Sequence, residues 1–227
     1  MSQEASSRTR NTGHSRIHAS HPLSAFLPTR QRRVPQGDFD DEIGTDGRTI
    51  VYIEEGVVKL VGHLGADREQ IAAFAFEGDV LVVPAHVSTP HTLHALEDSV
   101  VHFLRSDDLL PKGRPAMGAG QLLDRILADL GRSRELSALL GRKSARERIC
   151  GFLVEMEKRI GRRENGAVIL DLPMSRREIG DHLGLTIETV SRQLTDLRER
   201  SAIATCGRSR IDILDPQGLR ALAGSVD

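Results

Sequence analysis

Three residues near the C-terminal third of the chain have side chains suited to reading base pairs: Glu188, Ser191 and Arg192. Spacings of three and four put them on one face of a helix. Arg can donate two hydrogen bonds to guanine O6 and N7, Glu accepts from the cytosine amino group, and Ser adapts to either partner. Taken alone, Glu188 and Arg192 are equally an exposed i,i+4 ion pair. The surrounding stretch, Met174 to Leu194, favours base contact. Ser175 is a helix cap and Glu178 completes a capping box. Ile179 and Leu183 are apolar, and Gly184 supplies the left-handed residue that ends a helix sharply. Thr186 caps a second helix, whose buried stripe is Val190, Leu194 and Leu197. Helix, tight turn, helix is the helix-turn-helix pattern, with the second helix in the major groove. Ala202 to Cys206 and Arg210 to Leu214 then flank Gly207-Arg208-Ser209, a hairpin that would form the wing of a winged helix. Arg208 and Arg210 are placed to meet phosphate, and Ser175, Arg176, Thr186 and Thr189 are further candidates for backbone contact.

Other residue types that carry chemistry are sparse. His86, His91, His94 and His102 fall within seventeen residues, and imidazole is a frequent metal or haem ligand. No Cys, Asp or Glu accompanies them at ligand spacing, so they read as surface and structural histidines, with no metal site and no cofactor. Cys150 falls on the apolar side of its helix and reads as core. Cys206, in the wing, reads as a partly exposed thiol.

The elements that must hold the reading face follow from texture along the chain. Residues 1–21 are polar, nearly empty of large apolar groups, and expected to be a disordered tail. From 22 to 114, short β-branched runs alternate with glycine turns: Arg48 to Glu54, Val57 to His63, Gln70 to Phe76, Val80 to Val83 and Val100 to Leu104. That spacing predicts an antiparallel sandwich or β-roll. Pro115 opens a helix running from Ala116 to Leu139, at residues 115–140 of the chain. Ala119, Leu123, Ile126 and Leu130, at spacings of four, three and four, form a coiled-coil seam for a dimer. A helix over Ser144 to Ile160 and a strand over Ala167 to Leu172 lead into the helix-turn-helix, completing a DNA-binding domain at 141–227. The expected class is α+β: an N-terminal antiparallel β-roll, a long dimerisation helix and a C-terminal winged helix-turn-helix.

Composition narrows the class further. The chain has 227 residues, is 28% charged and carries a net charge of -1. That balance conceals an asymmetry, with 16 Lys and Arg against 13 Asp and Glu from Arg142 onward, and 15 against 19 before it. A basic C-terminal part fits nucleic acid. No apolar run spans a bilayer, the N-terminus lacks a signal-peptide core, and two distant cysteines exclude a disulfide framework. A cytoplasmic protein without membrane association is expected.

The order sandwich, long helix, winged helix-turn-helix resembles the Crp/Fnr family of bacterial transcription regulators. Two runs carry the likeness: Leu140-Gly-Arg-Lys-Ser-Ala-Arg-Glu-Arg-Ile149 with Phe152-Leu153, and Asp171 to Arg192. Both are similar to the Fnr and FixK branch, FixK-like proteins most of all. In the sandwich, Glu77-Gly78-Asp79 and Ala95 to Val100 match a turn and a late strand. The resemblance implies that Glu188, Ser191 and Arg192 stand for the family's Glu-x-x-Ser-Arg reading pattern. It also implies a homodimer on a TTGAT-like palindrome, double-stranded DNA and RNA polymerase as partners, and gene control related to oxygen or nitrogen oxides. Ile187 stands where the Crp branch has a further arginine, which disfavours the Crp-type half-site. The chain lacks cysteines before Cys150, so the cluster mechanism of Fnr-type oxygen sensors is not available to it. Between Asp79 and Ala95 it lacks the arginine with which Crp-type proteins hold a cyclic nucleotide. An enzyme is not expected. The alternatives are a haem- or metal-binding sensor of the same family and, further off, a cupin-like metalloenzyme built on the histidines.

Overall fold

The first half of the chain folds as two four-stranded antiparallel sheets facing each other. In the computed structural model, the described residues are 30–37, 39–40, 49–65, 68–83, 89–105, 117–164 and 166–224. The expected tail at 1–21 and His86 lie outside them. The strands are β1 (Arg30–Val34), β2 (Phe39–Asp40), β3 (Thr49–Glu55), β4 (Val57–Gly65), β5 (Arg68–Phe76), β6 (Val80–Val83), β7 (His91–Ala95) and β8 (Ser99–Arg105). One sheet has the order β1-β8-β3-β6 and the other β2-β7-β4-β5. Side chains alternate across a strand, so Val51 and Ile53 of β3 and Val58 and Leu60 of β4 point between the sheets. There they meet Ala75, Leu81, Val83, Leu93 and Val101.

Antiparallel sheets often leave one face to water, but here both outer faces carry apolar residues and both are used. Ile50, Tyr52, Val80 and Leu104 of the first sheet pack on the long helix α1 (Met117–Arg142) through Leu122 and Ile126. Val57, Val61, Ile71, Phe74 and Phe76 of the second sheet join the core of the C-terminal domain. That domain contains α2 (Ala145–Ile160), β9 (Arg162–Glu164), β10 (Ala167–Asp171), α3 (Arg176–Leu183), α4 (Ile187–Glu199), β11 (Ile203–Cys206), β12 (Arg210–Ile213) and α5 (Pro216–Leu222). Its sheet has the order β11-β12-β10-β9.

The long helix divides the expected seam residues between two faces. Leu122, not among the expected residues, is buried, and Ile126 packs beside it against the chain's own sheet. The row left without a partner in a single chain is Leu123, Leu127 and Leu130, at 55%, 54% and 43% exposure. Ala119 lies on the same helix. Five elements were not expected from sequence: β1, β2, β7, β9 and α5. Arg30–Val34 and Arg162–Glu164 are edge strands rich in charge, a composition that keeps edges from pairing with other chains and also conceals them from hydrophobic pattern reading. α5 did carry a signal: Asp215 caps it and Pro216 occupies its first turn.

The seam between sheet and C-terminal domain is held by directional contacts as well as apolar ones. His182 of α3 sits 5.0 Å from the Phe74 ring and 6.3 Å from Phe152. Its Nδ1 lies 2.9 Å from the Ile71 carbonyl oxygen, a bond that requires the proton on Nδ1. Lys59 of β4 donates to Glu178 of α3 at 2.7 Å. Burial, the largest cause, pushes the His182 pKa below its ordinary 6.5, against the Ile71 carbonyl and the Glu155 charge and with the Arg159 charge. Its contribution to stability is therefore full above about pH 6.5. It is lost as pH falls below that value, where the unfolded chain takes up a proton that the docked ring refuses. His182→Gln, which keeps a donor, is expected to flatten the fall in urea midpoint between pH 7.5 and 5.5. An unchanged slope in the variant would contradict this assignment.

Candidate nucleic-acid interface

The helix-turn-helix owes its geometry to local sequence. Ser175 accepts from the Glu178 backbone N–H, and Glu178 accepts in return from the Ser175 N–H at 2.7 Å, so the box at the start of α3 is complete. Gly184 ends α3 with a left-handed φ of 62°. Gly180 permits the close approach of the turn, since a Cβ there would lie 2.5 Å from the Leu185 carbonyl oxygen. Thr186 then caps α4 by accepting from Thr189 N–H at 3.2 Å. Val190, Leu194 and Leu197 are buried, which turns the opposite face of α4 outward.

On that outer face the expected base-reading residues come together. Glu188 and Arg192 are exposed and Ser191 is half-buried. Glu188 and Arg192 form no ion pair with each other among the described residues, so neither offsets the other's charge. Bonds from its own backbone N–H and from Thr186 hold the Glu188 carboxyl below the usual range. It is thus an ionised acceptor throughout the neutral range. Ile187 is exposed at the start of the same helix.

The expected backbone contacts are distributed less evenly. The hydroxyls of Thr186 and Thr189 lie 3.1 Å apart and bond each other, and the Ser175 hydroxyl donates to Glu178 at 2.7 Å. Arg176 is half-buried behind the reading face, with Nη1 3.5 Å from Ser191 Oγ. In the wing, Arg208 is exposed at the tip of the turn. Arg210 pairs with Asp212 at 2.8 Å, and that carboxylate raises its pKa while offsetting its charge. The two wing arginines are therefore unequal. Among the described residues Arg208 presents an uncompensated cation and Arg210 a neutralised pair.

Several positioning residues were not legible in the sequence. Arg148 of α2 donates to the carbonyls of Leu140 at 2.8 Å, Lys143 at 3.0 Å and Leu183 at 3.0 Å. It caps the C-terminal ends of α1 and α3 together, where a cation is favoured by the helix dipole. Its run, Leu140 to Ile149, does carry the family likeness, so a signal existed without a role attached. Asp79 likewise lay in a turn that carries the family likeness, without a role attached, and Lys59 and Arg159 gave no local sign.

The histidines do not form one site. Alternation puts His91 with the inward Leu93 and Ala95 of β7, and His94 with Thr92 on the outer face. His102 lies in the other sheet and bonds Glu54 at 2.6 Å. His63 of β4, unremarked in the sequence, shares the Thr92 hydroxyl with His94, each at 2.9 Å. Among the described residues no group of three or more His, Cys, Asp and Glu is arranged to hold a metal ion. Of the cysteines, Cys150 is buried and Cys206 exposed. Burial pushes the Cys150 thiol up to about 11. One thiol per chain is expected to react promptly with a disulfide reagent at pH 8, and Cys206→Ser should abolish that fast phase. A surviving fast phase would show that α2 opens.

A winged helix-turn-helix carried on a β-roll and a long helix defines a DNA-binding transcription regulator. The comparisons with known proteins agree. The Crp-like helix-turn-helix domain matches residues 147–222. The nitrogen fixation regulation protein FixK of Rhizobium meliloti is 33% identical over 200 residues, spanning 88% of this chain and 86% of that protein. The FixK of Bradyrhizobium diazoefficiens is 38% identical over 175 residues, 75% of this chain and 72% of the relative. The transcriptional activator protein FnrL of Cereibacter sphaeroides is 31% identical over 180 residues, 77% of this chain and 73% of the relative. The solved structure of FixK2 from Bradyrhizobium japonicum superposes with a TM-score of 0.72 at 30% identity, covering 88% of this chain and all 100% of that one. The chain belongs to the Crp/Fnr family of transcription regulators and is FixK-like. Its relatives are regulators, not enzymes. No described helix is long and apolar enough to cross a membrane.

Proposed function

We infer that this protein is a homodimeric transcription activator that reads a TTGAT-like palindrome in double-stranded DNA, with Glu188, Ser191 and Arg192 on the bases. The observation that carries the reading is the outer face of α4. Glu188 and Arg192 stand exposed there, with no ion pair among the described residues, while the buried stripe fixes the helix from behind. Arg208 would meet phosphate as the exposed cation of the wing, with Arg176, Thr186, Thr189 and Ser175 as further backbone contacts and Arg210 the weaker one, its charge offset by Asp212. The proposed division of labour follows the chain: a tail at 1–21, a sensor-like β-roll at 22–114, a dimerisation helix at 115–140 and a DNA-binding domain at 141–227. Two copies joined along α1 would present their recognition helices about 34 to 36 Å apart, in successive major grooves of one DNA face. The site of action is the cytoplasm, with RNA polymerase as the further partner. Relatives named for nitrogen fixation regulation and for transcriptional activation support the activator role; genes tied to oxygen or nitrogen oxides are the proposed targets.

Selection of bound duplexes from a random pool tests the reading directly. Enrichment of a two-fold symmetric site with TTGAT-like arms is expected. Recovery of asymmetric sites, or no enrichment over input, would overturn it.

A further inference from the structure

The turn Glu77-Gly78-Asp79, between β5 and β6, is where the three units of the chain meet. Asp79 is firmly held in that turn. Its N–H donates to the Phe76 carbonyl at 2.9 Å, its carbonyl accepts from Ile53 N–H at 3.0 Å, and Oδ2 accepts from Phe76 N–H at 2.8 Å. The same carboxylate faces outward to two guanidinium groups on different units. Oδ2 accepts from Arg159 near the end of α2, in the DNA-binding domain, and Oδ1 lies 3.5 Å from Arg132 Nη1 of α1. Each arginine is independently clasped. Arg159 lies 4.3 Å from the centre of the Phe76 ring and donates to the Phe74 carbonyl at 3.3 Å and to Glu155 at 3.3 Å. Arg132 also meets Asp129 at 3.5 Å, and Asp129 accepts from Val82 N–H at 3.4 Å. The turn is pressed onto α1 as well, since a Cβ at Gly78 would lie 3.2 Å from the Arg125 guanidinium.

We propose that Asp79 is a positioning residue for DNA binding: by holding Arg132 and Arg159 on one carboxylate, it fixes the DNA-binding domain relative to the dimer helix and so sets the half-site spacing the dimer accepts. The inference rests on the reading of the chain as a dimeric DNA reader. Apolar packing between the second sheet and α2 and α3 is non-directional and tolerates sliding. A half-buried carboxylate between two guanidiniums is directional, and without it two like charges would face each other across the junction. Spacing is sensitive to such a joint. A shift of each reading head by about 1.7 Å along the duplex changes the separation by one base pair, about 3.4 Å. Asp79 touches no DNA in this scheme. It acts through the orientation of α4.

The test uses the full-length protein as Asp79→Asn, Arg132→Gln and Arg159→Gln. Each binds palindromes with the selected spacing or with one base pair more or less, alongside duplexes with scrambled half-sites. The wild type is expected to prefer one spacing by roughly 10-fold or more, and each variant by about 3-fold or less. Preference for cognate over scrambled half-sites, and the dimer seen in ultracentrifugation, should be unchanged. Variants that keep the wild-type spacing preference would overturn the proposal. So would loss of half-site selectivity or of the dimer in Arg132→Gln, a partly exposed position, because that would mark a general folding role. Where Asp79→Asn is too unstable to measure, Arg132→Gln and Arg159→Gln decide the matter. A wild type that fails to discriminate cognate from scrambled half-sites would instead refute the DNA-reading function itself.

Discussion

Arg192→Ala is expected to remove most of the protein's selectivity for the proposed palindrome while leaving its fold intact. The guanidinium is exposed, bonds nothing within the chain among the described residues, and lies opposite the buried Val190, Leu194 and Leu197. Loss of a bidentate contact to guanine costs about 1 to 3 kcal/mol for each base pair read. A symmetric dimer makes the contact twice, so affinity for the full site should fall on the order of 10²-fold or more. Affinity for scrambled DNA should change little, since only one positive charge per chain is lost from a larger phosphate-facing set. Titration of cognate and scrambled duplexes at one salt concentration checks this. Equal losses on both would mean that Arg192 contacts phosphate and the base-reading assignment is wrong. Glu188→Ala offers a second view of the same face, with relaxed selectivity expected at a cytosine position.

Leu127→Glu combined with Leu130→Glu is expected to separate the proposed dimer. These side chains and Leu123 form the exposed apolar row of α1, and two carboxylates per helix facing their copies would meet both like-charge repulsion and desolvation cost. The folded monomer should persist, because the contacts of α1 with its own sheet run through Leu122 and Ile126 on the adjacent face. Each freed monomer would then bind one half-site without its tethered partner, and apparent affinity should drop by about 10² to 10⁴. Sedimentation gives the mass and a binding titration gives the loss. A dimer surviving both substitutions would place the interface elsewhere. Had Ile126 been chosen in place of Leu127, a disturbed β-roll core would confuse the outcome.

That contrast shows where sequence reading stops. The helix carries two adjacent apolar rows, Leu122 with Ile126 and Leu123 with Leu127 and Leu130, and both satisfy helical spacing. Periodicity cannot tell which row meets the chain's own sheet and which is left over, because the answer depends on how an outer sheet face presents Ile50, Tyr52, Val80 and Leu104. The histidines make the same point. Within seventeen residues they suggested a cluster, but strand alternation and sheet order sent His91, His94 and His102 to different surfaces. His63, distant in sequence, arrived beside His94.

The helix-turn-helix was legible almost to the residue, because its determinants are local. Capping boxes, a left-handed glycine and an i, i+4 stripe act within a few positions of one another, so Ser175, Glu178, Gly184, Thr186 and Val190 specify two helices and their turn wherever they occur. The β-roll was legible as a class, since alternating β-branched runs and glycine turns demand antiparallel strands, while its charged edge strands passed unnoticed. The joints between units were decided by tertiary structure alone. Asp79 finds Arg132 and Arg159, Lys59 finds Glu178, and Arg148 ties Leu140 to Leu183 across separations that no periodicity records. Such pairs form because folding brings unlike charges and helix ends to one place and withdraws water from them. Their partners become known only once the chain is packed.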